Sequence, residues 1–278
     1  MNDVLTRWNG LVRHQPIDLL SAEPESVYHA KRSEFLSSHG LADFRRCPQL
    51  HRAKQLGLIR DEDRPAYLVG RAAHTLILEG REAYQSRFAF RGPINPKTGE
   101  PFGAGTKAFA EWAQLQGKPV LSDDQSALVE RMATAVKAHD YARGLLSSGI
   151  PEGVVRAPYA EVACQARLDW FNPERGIVDL KTVDRLDWFC ADARSYGYAH
   201  QLAFYRSVLS AAGAAAVPVF LIAVEKHEPF RCGVWRLTEA VLANAERDNR
   251  AAIERLRQCR AADSWPTGYE ELRDFDFF

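Results

Sequence analysis

One short hairpin in the middle of the chain limits most strongly what it can fold into. Arg167-Leu168-Asp169 and Ile177-Val178-Asp179-Leu180-Lys181 are runs of strand type, and Asn172-Pro173-Glu174-Arg175-Gly176 between them are turn formers. Side chains alternate across a strand, so Asp179 and Lys181 share one face while Val178 and Leu180 take the other. Arg167 and Asp169 likewise share a face of the partner strand. If the hairpin pairs as its turn suggests, Asp169 and Asp179 converge. Two carboxylates held together repel, so such a pair usually holds a cation, and magnesium, which prefers hard oxygen ligands and keeps its waters, is the natural one. The alternative is an exposed Asp-x-Lys ion pair, which is common on strands. Apolar Ile177, Val178 and Leu180 around Asp179 favour the buried arrangement.

The remaining pattern supplies a setting for this hairpin. Helical spacing is read over 38–55, interrupted at Pro48, then over 66–79 up to Gly80, 107–116, 123–146, 184–193, 198–212 and 238–260. Strand character is read over 154–157, 159–171, 176–182, 217–224 and 231–236. The Gly- and Pro-rich stretch 88–106 is read as a long loop. This order describes an α/β fold, a central mixed sheet flanked by helices with helical N-terminal decoration. With 278 residues, 46% of them hydrophobic, a single domain is expected over 26–278, preceded by an arm or partly ordered tail over 1–25.

Composition narrows the possible partners. No run approaches the roughly 18 apolar residues of a membrane span, and Met1-Asn2-Asp3 lacks the basic start of a secretory signal, so a soluble, cytoplasmic protein is expected. Thirty-six basic residues balance thirty-six acidic ones, so any polyanion must be met by a local patch. Lys31, Arg32, Arg71, Lys97 and Lys107 are candidates for it. The five cysteines are dispersed, which argues against a zinc ribbon, a disulfide framework or an iron–sulfur cluster.

Further motifs stand on either side of the hairpin. Gly70-Arg71-Ala72-Ala73-His74 lies upstream on a helix, and Gln201-Leu202-Ala203-Phe204-Tyr205 lies downstream on another. An early helix ends in Phe44-Arg45-Arg46-Cys47-Pro48. In this order, with Asp169 about ten residues before Asp179-Leu180-Lys181, the chain resembles the PD-(D/E)xK nuclease superfamily and within it the RecB-like and RecE-type, or exonuclease VIII-like, branch. Leu168-Asp169 stands where the superfamily has Pro-Asp, and Asp179 where Glu is common.

The resemblance implies a PD-(D/E)xK core and hydrolysis of DNA phosphodiesters with Mg2+, or Mn2+ as a substitute, and two ions per site. His74, Asp169, Asp179 and the Leu180 carbonyl are the implied ligands. Lys181 is expected to act on the attacking water or on charge developing in the transition state. Gln201, Tyr205, Arg71 and Arg45 are expected to contact DNA, Arg45 with Arg46 at a terminal 5′-phosphate. Read without the family, His74 could be an ordinary half-buried histidine, Gln201 and Tyr205 an amphipathic helix face, and Arg45 a solvated one. Glu161 is a further candidate for a second metal, or an exposed strand residue. The RecE type implies 5′ to 3′ digestion of linear duplex ends, a single-strand annealing partner of the RecT type and a homo-oligomeric ring. Two other readings are a RecB-like single-strand or flap nuclease and a DNA-end-binding subunit without catalysis.

Overall fold

Strands that are apolar on both faces build the central sheet of the computed structural model, which describes residues 20–60 and 65–275. A two-residue parallel pair stands apart, β1 (Ala89–Phe90) at the start of the expected long-loop region and β2 (Val120–Leu121) beyond the helix that follows it. The main sheet runs in the order β3 (Ile150–Tyr159), β4 (Val162–Asn172), β5 (Gly176–Val183), β6 (Val219–Glu225) and β7 (Cys232–Arg236). Neighbours are antiparallel except β5 and β6, whose parallel pairing requires a crossover.

Helices cover both faces, as expected of this α/β class. They are α1 (Glu25–Ala30), α2 (Ser38–Arg46), α3 (Pro48–Gln55), α4 (Pro65–His74), α5 (Gly80–Arg87), α6 (Lys107–Gln116), α7 (Asp123–Ala138), α8 (Asp140–Leu145), α9 (Phe189–Ser195), α10 (Tyr198–Ala211) and α11 (Glu239–Ala262). On one face Val155, Leu168, Ile177 and Leu221 pack with Leu41 and Phe44 of α2, Leu202 of α10 and Leu242 of α11. On the other, Trp170, Val178, Leu180 and Ile222 pack with Ala72 and Ala73 of α4 and Val129 and Met132 of α7. Among the described residues no helix is long and apolar enough to cross a membrane.

Several boundaries differ from expectation for identifiable reasons. The expected interruption at Pro48 separates two helices: Cys47 leaves helical backbone, its Sγ accepts from Leu50 N, and proline at the first helical position forfeits no hydrogen bond. Gly80 (φ 91°) turns the chain from a π-helical turn over Thr75–Glu79 directly into α5, a helix the pattern did not suggest. The stretch 123–146 divides at His139, whose ring caps α8 by accepting from Ala142 N. β3 begins at Ile150, four residues before the strand reading, because Pro151, Glu152 and Gly153 carry no strand signal.

The expected arm over 1–25 lies, for residues 1–19, outside the described residues. Its last residues are docked. Ser21 exchanges backbone hydrogen bonds of 2.8 and 2.9 Å with Val154, and Glu23 pairs with Arg156 and with Lys31. The Asn172 to Gly176 turn forms as expected, Asn172 Oδ1 accepting from Glu174 N at 2.8 Å and Arg175 N at 2.9 Å.

Gly176 begins β5 at φ 118°, and a Cβ there would stand 2.1 Å from the Pro218 carbonyl oxygen. We therefore expect Gly176→Ala to lower stability by at least about 2 kcal/mol, from backbone strain and the clash together. Urea unfolding measures this, and an unchanged midpoint would refute it.

Candidate active site

The site begins where β4 loses its partners. β4 and β5 pair at Asn172↔Gly176, Phe171↔Ile177 and Trp170↔Val178, and the strands part before Asp169 and Asp179 can form the next rung. On the other edge of β4 the rungs Pro151↔Trp170 and Gly153↔Leu168 are present, but the one between them, Glu152↔Asp169, is missing. Glu152 sits there in the left-handed region at φ 52°, a conformation that few non-glycine residues adopt. Asp169 is thus released from both ladders. Its Oδ2 accepts from the Leu180 backbone N–H at 2.9 Å, so a side chain occupies the gap between the strands.

Three donors converge at this gap. His74, Glu152 and Asp169 each present a ligand atom, all within 4.8 Å of one another, and His74 Nδ1 is 3.5 Å from Asp169 Oδ2. Burial and the charge of Asp179 push the Asp169 carboxyl up to about 7. Burial and the charge of Asp169 likewise push Glu152 up to about 7, against the pull of Arg167, whose Nε donates to Glu152 Oε2 at 2.6 Å. Burial lowers the His74 imidazole, favouring the neutral form that can ligate a metal, against the pull of the Glu152 charge and the Leu180 backbone.

Asp179 is 1% exposed, and among the described residues neither of its carboxylate oxygens accepts a hydrogen bond. Lys181 Nζ stands 2.7 Å from Oδ2, a charge contact outside hydrogen-bonding angles. Burial pulls the lysine's pKa down, but Asp179 and Asp169 outweigh it and hold the ammonium above its ordinary value. Nζ also donates to Gln201 Oε1 at 3.2 Å, and Gln201 Nε2 donates to the Tyr205 hydroxyl at 2.8 Å. These residues fit a divalent cation: the Glu152 and Asp169 carboxyls, whose ionisation burial opposes, and a neutral His74 imidazole form a hard, mostly oxygen donor set.

Against the sequence expectation, the structure brings His74 and Asp169 together but replaces Asp179 by Glu152 in the three-donor group. Asp179 turns to Lys181. Glu152 escaped notice because it precedes the recognisable part of its strand, between Pro151 and Gly153. Glu161, the acid suggested instead, is exposed and paired with Arg257 at 2.5 Å. Tyr205 is 4% exposed and positions Gln201 from within the core, which corrects its expected role in contacting DNA. Arg45 donates to Asn249 Oδ1 and so braces α2 against α11. Arg71 is half-buried one helical turn before His74. It helps hold the Glu25 carboxyl low, after the His29 hydrogen bond and the charge of Arg167. Of the expected basic patch, Lys31 pairs with Glu23 and Lys107 with Glu111.

A mixed sheet flanked by helices, with an acid on each of two adjacent strands and Asp-x-Lys on the second, defines a PD-(D/E)xK-type α/β domain. Over residues 37–273 the chain matches the family described as a PDDEXK-like domain of unknown function (DUF3799), and it belongs to that family. A Eubacterium rectale crystal structure named as a candidate exonuclease shares the fold at TM-score 0.67 and 16% identity, covering 93% of this chain and 97% of that one. LHK-Exo in complex with dAMP aligns at TM-score 0.28 and 13% identity over 72% of this chain and 98% of that one, too weakly to carry an argument. No curated protein matches the chain.

The raised carboxyls fix the sign of a pH dependence. Between about pH 4, where an unfolded chain releases these protons, and about pH 7, the metal-free folded chain retains them, so its stability falls as pH rises. A cation must displace the same protons, so its affinity should rise through about pH 7. Thermal melts in chelator and with added Mn2+ across this window test both statements. Metal-free stability that climbs with pH would overturn the assignment, and Glu152→Gln should flatten the metal-free curve while weakening Mn2+ binding.

Proposed function

We propose that this chain is a metal-dependent nuclease that hydrolyses DNA phosphodiesters from the ends of linear duplex, 5′ to 3′. The observation that carries the nuclease reading is Lys181, held cationic between the buried Asp179 carboxylate and Gln201 beside the His74, Glu152 and Asp169 donors. A bound divalent ion supplies positive charge against the phosphate oxygens and lowers the pKa of water. Mg2+ is the proposed ion, and the imidazole among the donors suits Mn2+ as well. Asp179, outside the three-donor group, is the residue a second ion would use.

The residues divide the remaining work. A raised pKa makes Lys181 a poor base, so its task is to place an ammonium against charge that builds on the phosphorane. Gln201 aims that ammonium and Tyr205 aims Gln201. Arg167 keeps Glu152 in place while it waits for a cation. Family membership and the fold shared with the Eubacterium rectale protein support a nuclease, and the name that protein carries favours action at ends. End polarity, a RecT-type annealing partner and a ring of identical subunits rest on resemblance to RecE-type enzymes.

Linear duplex labelled separately at its 5′ ends and internally, with and without Mg2+, tests this reading. Early release of 5′ label is expected, with covalently closed circles left intact. Lys181→Ala and Asp169→Asn should each slow release by about 100-fold or more, the scale of losing one preorganised charge. Digestion of circles would remove the end-dependent part, and variants as fast as the parent would remove the proposed centre.

A further inference from the structure

Beside the lysine the protein exposes a flat aromatic step. Tyr196, 69% exposed, stacks on half-buried Tyr198 with ring centroids 5.8 Å apart and planes 25° from parallel. The Tyr198 ring in turn lies 4.5 Å from Lys181 Nζ. The step therefore starts at the group proposed to face the phosphate and runs outward to solvent. It is also braced. Gly197, between the two tyrosines, adopts φ 69°, and a Cβ there would stand 3.4 Å from Arg45 Nη2, so the arginine anchored on Asn249 lies against the turn. Phe189, fully buried, packs at 6.3 Å from the Tyr198 ring and at 4.3 Å from Trp235.

A single exposed aromatic is ordinary on a protein surface. Two stacked rings beside a half-buried cation are more specific, because a nucleotide presents the matching pair of features: an anionic phosphate and, a few bonds away, a flat base. We propose that Tyr196 and Tyr198 form a stacking step for the nucleobase adjacent to the scissile phosphate. A base inside a duplex has both faces covered by its neighbours, so only a strand end or an unpaired nucleotide offers the free face the step needs. The step thus selects ends and unpaired nucleotides. The phosphate half of this argument rests on the nuclease reading, whereas stacking itself requires no cleavage.

The full-length protein in Ca2+ with a single-stranded oligonucleotide carrying terminal 2-aminopurine tests the proposal, with fluorescence quenching reporting the stack and anisotropy the affinity. The parent and Tyr196→Phe should quench alike. Tyr196→Leu, which keeps apolar bulk but no π face, should lose the quenching and bind about tenfold more weakly, the lower part of the range for one stacked base. The same probe buried inside a duplex should show no difference between the proteins. If Tyr196→Leu quenches and binds as the parent does, the step is not a base site, whether or not the DNA is cut in Mg2+. Quenching lost in Tyr196→Leu together with a parent that never cleaves would keep the base site and remove the nuclease reading.

Discussion

The parting of β4 from β5 at Asp169 is the constraint from which the rest of the site follows. A continuous hairpin would have spent the Leu180 N–H on a β4 carbonyl and set Asp169 and Asp179 directly opposite each other. Instead the ladder stops at Trp170↔Val178, and the Asp169 carboxylate takes the Leu180 N–H. β5 tolerates the loss because its other edge is paired with β6 from Ile177 to Val183. The missing Glu152↔Asp169 rung on the far side completes the opening. Backbone pairing has been given up at the one place where side chains must converge.

That arrangement is electrostatically poor without a cation. Glu152 pairs with Arg167 and Asp179 with Lys181, while burial keeps His74 neutral, so the three acids are not balanced by these two cations. The chain's response is to keep protons on Glu152 and Asp169, whose carboxyls are pushed to about 7, not to import more arginine. Another fixed cation would have satisfied the acids permanently. Proton retention leaves them exchangeable, which is what a metal site needs. Asp179 is treated differently: its charge contact with Lys181 keeps the ammonium protonated, so the residue that holds the lysine's charge is not one of the three clustered donors.

Much of this was legible in the sequence, and the limits have physical causes. Strand alternation placed Asp179 and Lys181 on one face, and the Asn172 to Gly176 turn implied the register that Trp170↔Val178 obeys. Alternation says nothing of where a ladder stops, so the same reasoning made Asp169 and Asp179 co-ligands and overlooked that one turns to His74 and the other to Lys181. Helix periodicity put Gln201 and Tyr205 on one face but could not rank their burial, and Tyr205 proved to be inside. Glu152 was hidden for the reason it is useful. A residue at positive φ between proline and glycine breaks the strand pattern, and that break turns its carboxylate out of the ladder and toward Asp169. Glu161 carried the opposite error, being an acid in a readable strand region whose left-handed turn sends it to solvent and Arg257.

The opening also explains how groups from both faces of one sheet can act together. Leu180 points to the face packed by α4 and α7, and His74 arrives from α4. Asp179 and Lys181 share the face of Ile177 and Val183, where α10 packs and supplies Gln201. In a continuous sheet the paired backbone would lie between such groups, because successive side chains point to opposite faces. Here Asp169 bridges the layers, holding the Leu180 backbone with the same oxygen that faces His74, while its charge reaches Lys181 on the other side. Substitution of Asp169 should therefore do more than remove one donor, since the Leu180 N–H would be left without its partner and β5 would lose what fixes its position beside the gap. Asp169→Asn keeps an acceptor for that N–H and removes only the charge, so it isolates the electrostatic role from the architectural one.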